Sequence, residues 1–173
     1  MIFFSGFSLH GEADFFDAFL DRGEYSVSGF SYGAIKALSH VYKLLKSSKR
    51  VDKLQLFSPA FFQTKSAKFK KLQLLSYTKS KNVYMDAFLN SCFAPYDKKD
   101  THYKENTKEE LSELLNYEWL NSEFEELSEK GVIIEVYLGE ADHIIDVNGA
   151  REFFTQLATV TYIKDANHFL QVE

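Results

Sequence analysis

The fold is decided by residues 25–37, which read Tyr25-Ser26-Val27-Ser28-Gly29-Phe30-Ser31-Tyr32-Gly33-Ala34-Ile35-Lys36-Ala37. Within this stretch, Gly29-x-Ser31-x-Gly33 is the pattern of a nucleophile elbow, a sharp turn that joins a strand to a helix and presents a serine. The two glycines are required because the elbow brings backbones close together and strains the serine. The pattern alone leaves open a Gly/Ser-rich turn without chemistry, since short motifs also arise by chance.

The residues on both sides of the elbow favour a strand that turns into a helix. The β-prone residues Tyr25 and Val27 lead into the turn. Apolar side chains follow it at helical spacing, namely Ile35, Leu38, Val41, Tyr42 and Leu45. We therefore predict a strand over 25–28 and a helix over 32–47, with Ser31 at their junction.

The length of 173 residues corresponds to one domain with a single core, and 45% hydrophobic residues are typical of a folded globular protein. Seventeen phenylalanines indicate either a bulky core or an apolar ligand channel. The single cysteine, Cys92, excludes an internal disulfide and fits a reducing compartment. Residues 1–4 carry neither a basic segment nor a long apolar stretch, so we expect a soluble cytoplasmic protein that does not enter a membrane.

Charge is distributed unevenly along the chain, although the net charge is only −5. Residues 43–104 carry fourteen basic and four acidic side chains, whereas residues 105–173 carry four basic and sixteen acidic ones. A basic block of this kind can attract an acidic protein, a phosphate or a nucleic acid. The alternative for any one lysine is a solvated surface position without a partner.

Strands and helices alternate along the sequence, which predicts an α/β fold with a parallel sheet. Five segments have strand character and alternate with helical ones: 2–4, 25–28, 53–59, 132–138 and 159–163. Further helices are expected over 12–20, 65–78, 82–93, 107–116, 118–129 and 152–157, with a capping box at Thr107 and Glu110. We expect residues 1–58 and 131–173 to form the core, and residues 59–130 to form an inserted helical lid.

Catalytic partners for Ser31 are expected at the carboxyl ends of other strands, where open parallel sheets place their sites. Asp142 follows the strand 132–138, and His168 follows the strand 159–163. In a serine hydrolase, the histidine takes the serine proton as general base, and the aspartate fixes the imidazole tautomer. The chain order Ser, Asp, His is the one that accompanies an elbow of this type. The sequence therefore predicts a triad of Ser31, Asp142 and His168.

Other residues compete for these roles. Asp146 is an alternative acid that lies four residues further along, and His143 directly follows Asp142. Three histidines follow no strand in the required order: His10, His40 and His102. Cys92 lies in a predicted lid helix and is interpreted as a small buried hydrophobe.

A serine hydrolase also needs backbone donors for the oxyanion of its tetrahedral intermediate. The N–H of Tyr32, at the start of the helix after the serine, is one candidate. The N–H of Phe7, in the loop Ser5-Gly6-Phe7-Ser8, is the other, although a simple turn remains an alternative for this loop. No metal-ligand cluster and no Gly-rich phosphate loop is present, so we expect neither a metal nor a cofactor.

Taken together, these motifs resemble the α/β-hydrolase family over nearly the whole chain. The resemblance rests on Ser5-Gly6-Phe7 after a strand, Gly29-Phe30-Ser31-Tyr32-Gly33, Gly139-x-x-Asp142-x-Ile144 and Asn167-His168-Phe169. It implies a minimal α/β-hydrolase fold, with a five-stranded parallel sheet flanked by helices and a helical lid insertion. Ser5 stands where the family has a histidine, only 24 residues separate Phe7 from Ser31, and strands usual at one edge are missing.

Within that family, the chain is similar to compact esterases that cleave the methyl ester of pimeloyl-acyl-carrier protein in biotin synthesis. The resemblance implies the same substrate and an acidic carrier protein as partner. Candidate carrier contacts are Lys65, Lys68, Lys70 and Lys71, with Lys79 and Lys81 behind them. Candidate acyl-channel residues are Phe61, Phe62, Phe69, Tyr77, Tyr84 and Phe88, with packing inside the lid as their alternative role.

Three alternatives remain open at this point. The first is a thioesterase or general carboxylesterase with the same triad. The second is a non-catalytic binding module, which the intact Ser31, Asp142 and His168 disfavour. The third is nucleic-acid binding through the basic block. It lacks a recognisable motif and is opposed by the acidic remainder of the chain, so we expect no nucleic-acid partner.

Overall fold

Five parallel strands form the central sheet of the computed structural model, which describes residues 1–173. In spatial order they are β1 (Ile2–Phe4), β3 (Ser26–Phe30), β4 (Lys53–Phe57), β6 (Ile133–Gly139) and β7 (Thr159–Ile163). A separate antiparallel pair joins β2 (Leu9–His10) to β5 (His102–Tyr103). The five predicted sheet strands are confirmed, whereas the small pair is not predicted because two residues carry no periodicity.

Six α-helices connect the strands. They are α1 (Tyr32–Lys46), α2 (Ala67–Lys79), α3 (Lys81–Phe93), α4 (Lys108–Asn116), α5 (Asn121–Glu129) and α6 (Val147–Phe154). The capping box of α4 is present as predicted, because Thr107 and Glu110 each bond the other's backbone N–H.

Two helix predictions are corrected. The predicted helix over 12–20 is a short 3₁₀ helix, Glu12–Phe16. Helix α6 begins at Val147 and not at Glu152, because the Asp146 carboxylate accepts the N–H of Gly149 at 3.2 Å and caps the helix early.

One face of the sheet is aliphatic. Alternate residues of the strands point to this face, among them Val27, Leu54, Leu56, Ile134, Val136 and Leu138. They belong to one buried core with side chains of α1, α5 and α6. The large side chains Trp119, Phe124 and Phe154 complete this layer, with ring centroids 5.4 to 5.9 Å apart.

The opposite face is aromatic toward the carboxyl ends of the strands. Phe30, Phe57 and Tyr137 point to this face from β3, β4 and β6. The 3₁₀ helix, the second half of α3 and the segment after β7 cover them with further apolar side chains: Phe16, Leu89, Cys92, Phe93, Phe169 and Leu170. Buried phenylalanines therefore lie in both cores, with five in this aromatic one and five in the core that contains the aliphatic face.

The segment 59–130 divides into two parts by its packing. Helix α2 packs on both α3 and α4, whereas α5 packs on β6. In α5, Phe124 and Leu127 are completely buried in the aliphatic core. None of the helices combines the length and the apolar character needed to cross a membrane.

Candidate active site

Ser31 lies between β3 and α1 in a strained backbone conformation, with φ 52° and ψ −116°. A Cβ atom added to Gly29 would overlap the carbonyl oxygen of Gly33, and one added to Gly33 would overlap the carbonyl oxygen of Phe4. Both glycines are thus needed for close backbone approach, as the elbow pattern predicts. Outliers of this kind concentrate at functional sites.

Asp142 and His168 form a buried pair at the carboxyl ends of β6 and β7. His168 Nδ1 lies 2.6 Å from Asp142 Oδ2, and both side chains are almost entirely buried. The other carboxylate oxygen, Oδ1, accepts the N–H of Ile144 at 2.7 Å and that of Ile145 at 3.4 Å. An imidazole that donates Nδ1–H to a carboxylate keeps Nε2 as its free lone pair.

The loop after β7 carries His168 across the sheet from its edge toward β3. Phe169 stacks on Phe93 at 4.4 Å and packs against Phe30 at 4.9 Å, and the His168 ring itself lies 4.9 Å from Phe30. Asn167 holds the loop, since its amide donates to the Phe93 carbonyl at 2.8 Å and accepts two N–H groups of the loop. His168 is thereby fixed beside the residue that precedes Ser31.

His168 Nε2 is buried and has no hydrogen-bond partner in the chain. No hydrogen bond joins it to Ser31 Oγ. Catalytic hydrogen bonds of this type are often long without substrate and tighten in the complex. A buried polar atom without a partner is costly, and a catalytic role is one explanation for it. Five other buried side-chain atoms share this feature, so for His168 it acquires meaning through the bond to Asp142.

The competing residues have other positions. Asp146 accepts the Thr64 hydroxyl at 2.5 Å and the N–H of Gly149, and these bonds hold the pKa of Asp146 below its ordinary value. His143 is exposed and lines the cavity described below. His10 and His102 lie in the small sheet, and His40 lies in α1 against Phe4. Burial raises the pKa of the Cys92 thiol, which is inside the aromatic core.

The two candidate oxyanion donors lie on either side of the elbow. Tyr32 is the first residue of α1, so its N–H has no acceptor within the helix. The N–H of Phe7 donates no hydrogen bond within the chain. The Phe7 ring packs edge-on against Tyr32, with centroids 6.4 Å apart. The loop after β1 and the start of α1 therefore meet next to Ser31.

A cavity of about 690 Å³ lies between helices α2, α3 and α4 and the loops after β1 and β6. It is lined by neighbours of the candidate site, and not by Ser31, Asp142 or His168 themselves. Four of the six predicted channel residues line it: Phe62, Phe69, Tyr84 and Phe88. The other two do not line this cavity. Phe61 packs in the aliphatic core against Phe153 and Phe154, and Tyr77 is buried with its hydroxyl bonded to Asn106.

Sequence reasoning did not find several walls of the cavity. Helix α4 contributes Leu111, Leu114 and Leu115, whose helical spacing marks an apolar face without revealing what it faces. Phe7, His143 and Ile144 line the cavity from the loops that carry the candidate site. Most of the lining side chains are apolar, which is typical of a site for an apolar ligand.

The predicted carrier-contact lysines lie on and just before α2. Lys68 and Lys71 are exposed, Lys65 and Lys70 are half-buried, and none of the four forms a salt bridge. Two leucines of the same helix, Leu72 and Leu75, have more than half of their surface exposed. The outer face of α2 thus combines unpaired cations with exposed apolar side chains.

The five-stranded parallel sheet flanked by helices has the α/β-hydrolase fold, and the predicted fold class is confirmed. Carboxylesterase CesB (YbfK) from Bacillus subtilis superposes with a TM-score of 0.57 and 18% identity, over 96% of this chain and 63% of that one. Naproxen esterase (carboxylesterase NP) from the same organism superposes with a TM-score of 0.55 and 23% identity, over 86% of this chain and 54% of the esterase. BioG from Haemophilus influenzae superposes with a TM-score of 0.57 and 12% identity, over 98% of this chain and 88% of BioG.

The extent of these alignments differs. The chain spans less than two thirds of the length of the two Bacillus esterases, but most of the length of BioG. No protein-family model matches the sequence, and no curated protein does. The likeness therefore lies in the fold, at identities between 12% and 23%.

Proposed function

We propose that the chain is a serine carboxylesterase with Ser31 as nucleophile, His168 as general base and Asp142 as the residue that orients His168. The observation that carries this proposal is the buried His168–Asp142 pair at 2.6 Å, whose Nε2 is unpartnered next to the elbow of Ser31. The non-catalytic alternative is disfavoured, because His168 combines an unpartnered Nε2 with an Nδ1 that is bonded to a buried carboxylate, which is the arrangement of a catalytic base.

In the proposed mechanism, Ser31 Oγ attacks the ester carbonyl while His168 Nε2 accepts its proton. The N–H groups of Phe7 and Tyr32 stabilise the oxyanion that develops. His168 then protonates the leaving alcohol, and an acyl-enzyme remains on Ser31. Water attacks this ester by the same steps in reverse order, which releases the carboxylate and restores the serine.

The substrate we propose is the methyl ester of pimeloyl-acyl-carrier protein, and hydrolysis would free the pimeloyl carboxylate for biotin synthesis. Support comes from the sequence motifs shared with the compact esterases of that reaction. The apolar cavity of about 690 Å³ has the size and lining suited to an acyl chain. The superposition covers most of both this chain and BioG, so the two proteins are of similar size, in agreement with a compact enzyme.

We also propose that α2, α3 and α4 act as the lid, and that the outer face of α2 contacts the acidic carrier protein. Lys68, Lys70 and Lys71 form no salt bridge within the chain, so their charge is free to attract an acidic partner, whereas the charge of Lys65 also acts on Asp146. Leu72 and Leu75 supply apolar surface between them. The proposed location is the cytoplasm, in keeping with the free thiol of Cys92.

The first test is hydrolysis of pimeloyl-acyl-carrier protein methyl ester by wild type and Ser31→Ala, with a small p-nitrophenyl ester for comparison. We expect wild-type turnover of both esters and its loss in a folded Ser31→Ala variant. Residual activity within tenfold of wild type would exclude Ser31 as nucleophile. Turnover of the small ester alone would identify a general esterase instead.

The carrier contact is tested by charge reversal of Lys68, Lys70 and Lys71 to glutamate. A matched control reverses Lys43 and Lys46 in the last turn of α1, about 20 Å along the helix from Ser31, and Lys49 just beyond the end of that helix. Only the α2 variant should lower kcat/KM for the carrier-linked ester, most strongly at low salt. Equal losses on the small ester would indicate damage to the lid and contradict the proposed contact.

A further inference from the structure

The loop that holds the Phe7 N–H is fixed on both of its sides by groups outside it. On the Gly6 side, the N–H of Gly6 donates to Glu12 Oε1 at 2.6 Å, and Glu12 is buried. On the other side, Ser8 has a left-handed backbone with φ 64°, which is unfavourable for a residue with a side chain. Something must hold Ser8 in that conformation, since such strain persists only where neighbours enforce it.

Ser8 is held by the segment that leads from α3 to α4. Its carbonyl accepts the N–H of Lys104 at 3.0 Å, and its hydroxyl donates to the Lys104 carbonyl at 3.0 Å. The side-chain amide of Asn106 donates to the same hydroxyl at 2.7 Å. Ser8 and Asn106 are both buried, so each of these bonds is shielded from water.

Asn106 is bonded to the lid as well. Its side-chain oxygen accepts the Tyr77 hydroxyl at 2.6 Å from the end of α2. Its backbone carbonyl accepts Lys81 Nζ at 2.7 Å from the start of α3. One buried amide therefore connects the loop of Phe7 to the point where α2 turns into α3. No motif marks this residue in the sequence.

We propose that Asn106 is a positioning residue for the oxyanion site, linking the α2–α3 turn to the backbone that aims the Phe7 N–H. This inference rests on the proposed function. An oxyanion donor stabilises the transition state only when it is aimed at the developing charge, and small displacements are costly. Loss of the Asn106–Ser8 bond would let the strained Ser8 relax and turn the Phe7 peptide away. The effect falls on kcat and not on KM, because the ground-state ester does not need this donor.

The chemistry of the amide explains the residue type. Asn106 donates to Ser8 through one atom and accepts from Tyr77 through the other, which an isosteric aspartate cannot do. Asn106→Asp keeps the shape and the acceptor for Tyr77 but loses the donor to Ser8. Ser8→Ala removes the same bond from the loop side, together with the hydroxyl bond to the Lys104 carbonyl. Asn116→Asp, an exposed position in α4, adds the same charge without touching this network.

The test measures hydrolysis of a p-nitrophenyl ester, with kcat expressed per active site titrated by a fluorophosphonate. We expect kcat to fall about 10- to 100-fold in Asn106→Asp and in Ser8→Ala, with KM within about threefold of wild type. The double variant should lose no more than Ser8→Ala alone, because Ser8→Ala already removes the bond between Asn106 and Ser8. Inhibition by an alkyl boronic acid, whose serine adduct places an oxygen in the oxyanion site, should weaken by a similar factor.

Several results would overturn the inference. They are a kcat within threefold of wild type in both folded single variants, additive losses in the double variant, or equal losses in Asn116→Asp. An inactive wild type that the fluorophosphonate does not label at Ser31 would refute the proposed function, and this inference with it. An active wild type with insensitive Asn106 and Ser8 variants would refute the inference alone.

Discussion

Replacement of Asp142 by asparagine should inactivate the enzyme by trapping His168 in the wrong tautomer. The two carboxylate oxygens have different partners: Oδ1 accepts two backbone N–H groups, from Ile144 and Ile145, and Oδ2 lies 2.6 Å from His168 Nδ1. Only the carbonyl oxygen of an asparagine can replace Oδ1, because an NH₂ group there would point its hydrogens at two N–H donors. The NH₂ group must then face Nδ1.

The consequence for His168 follows from this orientation. An NH₂ group donates to Nδ1, so the single ring proton of the neutral imidazole moves to Nε2. Nε2 then has no lone pair to accept the proton of Ser31. The wrong tautomer costs about 10⁴-fold in kcat where the same exchange has been made in a serine protease. At about 1.36 kcal/mol per tenfold, this corresponds to about 5.4 kcal/mol of transition-state stabilisation.

The fold should survive the exchange, since both hydrogen-bonding positions remain occupied. We expect a change in the free energy of unfolding below about 2 kcal/mol, measured by urea denaturation. The activity assay is hydrolysis of a p-nitrophenyl ester at pH 8, with an expected loss of 10³- to 10⁴-fold in kcat. A kcat within tenfold of wild type would refute the assigned role of Asp142.

Asp146→Asn is the matched control, because it makes the same exchange four residues away. Asp146 caps α6 and bonds Thr64, and asparagine caps a helix about as well as aspartate. We expect kcat of this variant within about twofold of wild type. A large loss here, with little effect at Asp142, would reverse the assignment of the acid.

Three further predictions concern the scaffold. Gly33→Ala should cost more than about 3 kcal/mol in urea unfolding, because its Cβ would overlap backbone, while Gly131→Ala, with φ 81° but open space, should cost about 1 kcal/mol. Burial raises the pKa of Glu135, but hydrogen bonds from Lys53, Gln55 and Tyr137 outweigh burial, so the net effect is a lowered pKa. A carboxylate whose pKa is lower in the folded than in the unfolded chain stabilises the fold at pH values above its unfolded-state pKa. This contribution is lost on acidification, so wild type should lose more stability than Glu135→Gln as the pH falls from about 5 to about 3. Gly139→Ala should reduce kcat per folded molecule, because its Cβ would overlap the backbone of the loop before His168.

The elements that position the candidate site could be predicted from the sequence, because each of them is subject to a local structural constraint. The elbow needs glycine on both sides of Ser31, and the steric overlaps at Gly29 and Gly33 show why. The buried strand β6 reads as a continuous apolar run, and the loops after β6 and β7 follow from it in chain order. Local pattern and global fold agree at these positions.

Features that depend on tertiary contacts could not be predicted. Glu12 is the first residue of a predicted helix, where nothing local indicates that it is buried and bonds the N–H of Gly6. Phe61 and Tyr77 are aromatic like the residues that line the cavity, and only their packing separates them from it. Asn106 lies in a stretch without periodicity, and its partners are separated from it by 25 to 98 residues along the chain.

The phenylalanine-rich composition has a specific consequence for the candidate site. His168 follows β7 at the edge of the sheet, whereas Ser31 follows β3, with β4 and β6 between those two strands. The chain crosses this gap on a layer of stacked rings in which Phe169 packs against Phe30 and Phe93. Aromatic pairs of this kind add about 0.5 to 1.5 kcal/mol each beyond the area they bury. A loop with few regular backbone hydrogen bonds is thereby held in place by side-chain packing. Truncation of Phe169 should for this reason affect the position of His168 as much as the stability of the fold.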